Sequence, residues 1–208
     1  MTIFILDEDQ KKCAKYLDDK SLENMIKDIA HILRNIWDIE SPLLKHNFSS
    51  IDNLYHFDKW SLWGRECKAN YLYLVELGNY LIEEYLHRFK RHTKKFNKQD
   101  KYFRIFIWAI NNIPDLPLHK FEKCILNKDV IVSGGLLGNQ HGDIPLLMPL
   151  KYLSTVNDSS GRYKETNVIQ SYRNYYNEKL KQKLLKKHPC DNMNVLWTKR
   201  QKPDWILC

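Results

Sequence analysis

The stretch Asn70-Tyr71-Leu72-Tyr73-Leu74-Val75-Glu76-Leu77-Gly78-Asn79-Tyr80-Leu81-Ile82-Glu83-Glu84-Tyr85-Leu86-His87-Arg88-Phe89 decides the fold class. Tyr71, Leu74, Val75, Gly78, Leu81, Ile82, Tyr85 and Phe89 recur at threes and fours, the spacing of one apolar stripe on an α-helix. The pattern predicts a helix from about Ser61 to His92. Gly78 lies on its apolar face, where a missing side chain permits another element to come close.

The same period continues on either side. Leu22, Met25, Ile26, Ile29, Leu33 and Ile36 mark a second helix, with Ser21 or Asp19 available as its cap, and a short one precedes it around Glu8 to Leu17. Tyr102 to Asn111 is apolar on most faces and predicts a short buried helix, closed by Pro114 and Pro117. Val168, Ile169, Tyr172, Tyr175, Tyr176, Leu180 and Leu184 predict a last long helix over 166–187. Between the last two, residues 127–162 gather Gly134, Gly135, Gly138 and Gly142. They read as an irregular or β-containing insertion, with Val130-Ile131-Val132 as a short strand and the rest a long loop. The expectation is a mainly α, bundle-like single domain over 1–208 carrying that insertion, and 208 residues suffice to bury its core.

Composition excludes several classes. The run Ile3 to Leu6 lacks the length and basic flank of a signal peptide, and Ile105 to Ile110 is far short of a bilayer span. The five cysteines are odd in number and widely spaced, so reduced thiols and an intracellular location are expected. No Gly-Lys-Ser/Thr follows the glycines, and no serine has a G-x-S-x-G context. His87 and His92 do not share a helix face, and His188 with Cys190 lacks further partners, so neither a metal nor a cofactor is expected.

The charge is informative. The net +8 divides into −3 over residues 1–60 and +11 over the remainder. The cations concentrate at His87–Arg104 and Lys179–Lys202, interleaved with or followed by Phe89, Phe96, Tyr102, Phe103, Trp197 and Trp205. Lysine and arginine neutralise phosphates and aromatic faces stack on bases, so a nucleic-acid partner, DNA above all, is the leading expectation. Solvated helix ends that complement the C-terminal dipole are the bland alternative. In the tail Trp197-Thr198-Lys199-Arg200-Gln201-Lys202-Pro203-Asp204-Trp205, the indoles either clamp a ligand or dock on the core. Tyr172, Tyr175 and Tyr176 read as a packed aromatic face ahead of a substrate cage.

Two resemblances add to this. Ile3-Phe4-Ile5-Leu6-Asp7-Glu8-Asp9, Val75-Glu76-Leu77-Gly78, Met148-Pro149-Leu150-Lys151-Tyr152, Tyr172-Arg173-Asn174-Tyr175-Tyr176 and Lys199-Arg200-Gln201-Lys202-Pro203-Asp204-Trp205 resemble a family of small phage and large-virus proteins. That family's Cys-Asp-Lys-His signature is here Asp18-Asp19-Lys20-Ser21, with serine in the histidine's place. This resemblance implies a viral protein inside an infected cell, in cytoplasm or nucleus. More remotely, the chain resembles the pyrimidine-dimer DNA glycosylases (endonuclease V) of T-even phages, small basic helical enzymes that begin Met-Thr. That resemblance implies base excision and abasic-site cleavage by the amine of Thr2, with Asp28 as the carboxylate and Lys27 and His31 at DNA-contacting positions. Asp28 stands where those enzymes carry glutamate, and Lys27 and His31 where they carry arginines. An α-amino group titrates at about 7.7–8, so part of it is neutral and nucleophilic at pH 7.

The expected catalytic residues are therefore Thr2 and Asp28. The expected nucleic-acid contacts are Lys27, His31, Arg65, Arg88, Arg91, Lys94, Lys95, Arg173, Lys199, Arg200 and Trp205. Two other functions fit the same residues: a non-enzymatic helical binding protein, and an enzyme acting on free nucleotides. In the last case the cations converge on one concave pocket rather than spreading along a face.

Overall fold

The computed structural model describes residues 3–40, 59–89, 94–116, 148–157, 164–185 and 197–207. The described chain is mainly helical. Helices α1 (Gln10–Tyr16), α2 (Asp19–Glu40), α3 (Lys59–Glu66), α4 (Lys68–Arg88) and α5 (Lys94–Asn111) come first. A 3₁₀ turn (Leu150–Tyr152), strands β1 (Ser154–Asn157) and β2 (Lys164–Asn167), and helix α6 (Val168–Leu185) follow. No helix among the described residues is long and apolar enough to cross a membrane.

The helix starts follow from capping chemistry. Asp9 accepts from the amides of Lys11 and Lys12 at 2.8 and 3.1 Å and opens α1. The cap of α2 is Asp18, one residue before the expected candidates. Its carboxylate accepts from the amides of Lys20 and Ser21, and its carbonyl from Leu22. Asp19 is drawn away by Arg88 and Thr198, and the Ser21 hydroxyl donates to Asp18 itself.

The single helix expected over 61–92 is two. Cys67 is extended, at φ −159° and ψ 162°, and separates α3 from α4. Asn70 Nδ2 donates to the Trp63 carbonyl at 2.8 Å and so ties the start of α4 to the end of α3. The stripe of α4 is nonetheless the centre of the core: Tyr71, Leu74, Leu81 and Tyr85 are fully buried. Gly78 meets the α5 residue Phe106, and a β-carbon built on Gly78 would stand 1.9 Å from that ring. The helix crossing therefore requires glycine there.

Helix α2 packs on α3, α4 and α5, and α1 packs on α4. The non-helical segment Ile3–Leu6 is buried throughout. Phe4 stands edge-on to Tyr172 and Tyr176 of α6. Helix α5 is longer than expected and buries Tyr102, Phe103, Ile105, Phe106 and Ala109, while Ile107 and Ile110 stay exposed. The strand expected at 130–132, like residues 127–147 and 158–162 generally, lies outside the described residues. Within the insertion and just beyond it, where a loop was expected, β1 and β2 pair antiparallel, Ser154 opposite Asn167. The Ser154 amide donates to Ser171 Oγ at 2.8 Å, which ties the hairpin to α6.

Candidate functional site

A cavity of about 520 Å³ lies between the N-terminal half of α2 and the C-terminal half of α6. Its lining combines Asp18, Lys20, Ser21, Asn24, Met25 and Asp28 with Phe4, Tyr176, Lys179, Leu180, Gln182 and Lys183. The size is within the range of small-molecule sites.

One end of the cavity is organised by Asp18. Its carboxylate receives the amides of Lys20 and Ser21, the Ser21 hydroxyl, the Tyr176 hydroxyl at 2.9 Å and the Lys183 ammonium. The Tyr176 oxygen in turn accepts from the Asp18 amide at 2.7 Å. Burial raises the Asp18 carboxyl, but Lys183, Ser21 and Tyr176 outweigh it and hold the group below its ordinary value. Asp18 is thus a saturated anion that pins α6 to the start of α2 and fixes Lys183 beside the cavity. Burial and the adjacent Asp18 charge push the Tyr176 hydroxyl well up, so it remains a neutral donor.

A second network lies on the other side of Asp19. Glu84 of α4 is gripped by both nitrogens of an Arg200 fork at 2.7 Å each and by Arg88 Nε at 2.7 Å. Arg88 also donates to the carbonyls of Leu17 and Lys15 and to Asp19 at 3.0 Å. Asp19 receives the amide and hydroxyl of Thr198. Trp197 is buried and donates to the Tyr16 carbonyl at 3.0 Å. Trp205 packs between Tyr16 and Tyr176, with the Arg173 guanidinium 5.0 Å from its ring centre. The tail is therefore a clasp over α1, α2, α4 and α6. Lys199 completes it with a left-handed backbone, φ 57°, and an ammonium that donates to the His87 carbonyl.

The residues expected to act together are dispersed. Asp28 lines the cavity, Lys27 is exposed, and His31 is buried 5.8 Å from the Tyr102 ring. Arg65 donates to the Asn35 carbonyl at 2.8 Å. Arg173 donates to the Leu6 carbonyl and to Asp7. Arg88 is fully buried in the clasp, so its guanidinium holds the fold together instead of facing a polyanion. Arg200 and both tail indoles are likewise engaged within the fold, so the tail docks while Lys199 and Lys202 stay exposed. Thr2, Arg91 and the side chains of Lys94 and Lys95 lie outside the described residues. Tyr172 and Tyr176 pack as the aromatic face expected of them.

Sequence reasoning passed over Asp18, Lys20, Ser21, Lys179 and Lys183 as a group. The i,i+4 spacing of Lys179 and Lys183 was a readable signal that both share a face of α6. No protein-family model matches this chain, and comparison with curated proteins and with solved structures finds no match.

Proposed function

We propose that this chain is a DNA-acting, nucleic-acid-binding protein, whose polyanion-facing surface is the end of the molecule around the start of α2. One observation carries the reading: cations distant in sequence are gathered there. Lys183 bonds Asp18, Thr198 bonds Asp19, and Lys20 and Lys199 follow these in the chain. Lys20 is exposed, Lys199 is exposed with its ammonium on the His87 carbonyl, and Lys183 is half-buried, while the arginines nearby are held by carboxylates and carbonyls of the clasp. The amide dipoles at the start of α2 add positive potential at the same end.

Binding that neutralises phosphates weakens with salt, by a slope of about −0.9 in log K per log salt for each phosphate contact. Fluorescence titration of a labelled duplex is expected to give a slope of roughly −3 to −4, and Lys199→Gln to reduce it by about one. An affinity unchanged between low and physiological salt would rule the reading out.

A second reading, base excision, is supported by Asp28 lining the same cavity as Phe4, which stands two residues after Thr2 in the chain. In that reaction the neutral Thr2 amine forms a bond to the sugar C1′ as the C1′–base bond breaks. The proton released by the amine passes to the departing base; the C1′–O4′ bond then opens, O4′ takes up a proton from water, and the Asp28 carboxylate stabilises the iminium so formed. Borohydride is expected to trap the chain on an abasic-site duplex, and Asp28→Asn to abolish trapping. Absence of any adduct, under conditions that trap a control lyase, leaves the binding reading alone standing.

A further inference from the structure

Two segments distant in sequence, 148–152 and 172–176, meet on one surface. Tyr152, at the end of the 3₁₀ turn, stands 5.2 Å from Tyr175 of α6 between ring centres, tilted by 40°. Asn174 Nδ2 donates to the Tyr152 carbonyl across 3.5 Å. A lysine lies over each ring: the Lys151 ammonium is 4.8 Å from the centre of Tyr152, and that of Lys179 is 5.2 Å from the centre of Tyr175. Tyr172 and Tyr176 of the same helix are fully buried, whereas Tyr152 and Tyr175 are half-buried and both lysines are exposed.

Holding the hairpin to α6 does not require that exposure. Ser171 already does so from a buried position, and a ring that serves packing alone gains most when hidden, as Tyr172 and Tyr176 are. The surface instead places a cation beside each ring. Tyr175, Lys179 and Lys183 follow at i,i+4 along one face of α6, over about 12 Å, toward Lys20 at the start of α2. Glu178 also acts on Lys151, but it accepts from Gln182 Nε2 at 2.9 Å and is a single anion against two cations.

Magnitudes decide what such rings prefer. A base stacked on an aromatic side chain contributes more than an exposed ammonium over the same ring. A base therefore displaces the lysine from the ring face, and the displaced ammonium is left within reach of the strand's phosphates. In a duplex the base faces are covered by their neighbours, so only an unpaired strand offers them.

We propose that this surface is a stacking platform for a single strand of nucleic acid, with successive bases on Tyr152 and Tyr175 and phosphates on Lys151 and Lys179. The platform depends on the nucleic-acid reading above and adds to it the strandedness of the partner and the residues that hold its bases.

Fluorescence anisotropy of the full chain with a labelled oligothymidylate of about 12 residues tests it. Beside it stand a strand of abasic sites of the same length, the oligothymidylate paired with its complement, and an oligouridylate. The oligothymidylate is expected to bind at least about tenfold more tightly than the abasic strand, which carries the phosphates without the bases. Tyr152→Leu and Tyr175→Leu keep apolar bulk and remove the ring; each should weaken the oligothymidylate roughly five- to hundredfold and leave duplex affinity unchanged. Tyr152→Trp enlarges the stacking face and should bind at least as tightly as the unaltered chain, which separates stacking from any loss of folding in the leucine variants. Lys151→Gln together with Lys179→Gln should lower the salt slope of strand binding by about one, with an unchanged Tm. The oligouridylate, compared with the oligothymidylate, assigns the strand to RNA or DNA, which share this chemistry. No binding of either single strand, equal affinity for the abasic strand, or indifference to both leucine changes overturns the platform. Duplex binding that still responds to Lys199→Gln then shows that the nucleic-acid reading stands without it. Strand binding that needs both rings, with no salt-dependent duplex binding, upholds the platform and removes the duplex-binding surface instead.

Discussion

At the scale of single residues, Arg200 separates a structural cation from a functional one. The sequence presents it as one of a row of tail cations, yet its fork closes on Glu84, a carboxylate that is 5% exposed. Burial raises the Glu84 carboxyl, but Arg200 and Arg88 outweigh it and keep it ionised below its ordinary value. Removing Arg200 leaves that buried charge with Arg88 alone. A bond to a charged group contributes about 1.5–3 kcal/mol, reduced here because Arg200 is 29% exposed. Arg200→Met is therefore expected to cost about 1–2 kcal/mol, or roughly 2–8 °C in Tm for a chain of this size. Denaturant and thermal unfolding measure the loss. Duplex affinity should fall less than in Lys199→Gln. The opposite pattern, an unchanged Tm with a larger loss of affinity, would place the guanidinium on nucleic acid.

At the scale of elements, periodicity was a good guide to which faces are buried and a poor one to where elements begin. The stripes of α2, α4 and α6 are the buried stripes, because a 3.6-residue period leaves few other ways to hide those side chains. The break at Cys67 carries no proline, and Gly64 three residues before it is itself helical; the bond from Asn70 back to Trp63 that spans the break exists only once both helices are in place. The cap of α2 moved to Asp18 for a related reason, since Tyr176 and Lys183, more than 150 residues away, complete its coordination. Strand β1 lies within the insertion expected over 127–162 and β2 just beyond it, reaching into the start of the expected last helix, and Ser171 of α6 anchors β1. The candidate cavity was legible only as fragments. Asp28 was singled out only through a resemblance, whereas the facing lysines on α6 required the tertiary fold.

At the scale of the whole molecule, the two buried carboxylates and one buried thiol define a pH range of stability. Asp18 and Glu84 tie α6 and the tail to the starts and ends of α2 and α4. Both are lowered in the fold from ordinary values of 3.8 and 4.5. A lowered acid binds fewer protons folded than unfolded, so its contribution is complete above about pH 4.5 and is lost as pH falls through the folded values. Cys13 acts in the opposite sense. Burial pushes its thiol from 9.0 up to about 11, so its contribution is complete below pH 9 and is lost as pH rises toward 11. Unfolding free energy is therefore expected to be level between about pH 4.5 and 9 and to fall on both sides, followed by denaturant titration across the range. Asp18→Asn removes one of the two acid-titrating groups and should flatten the acid limb, while Cys13→Ala should remove the onset of the alkaline limb between about pH 9 and 10, leaving the loss above pH 10 that the raised tyrosines Tyr71, Tyr73, Tyr85 and Tyr176 carry. An acid limb in Asp18→Asn that superposes on that of the unaltered chain would mean that the Asp18 junction does not couple α6 to α2, and the cavity between them would lose its fixed wall.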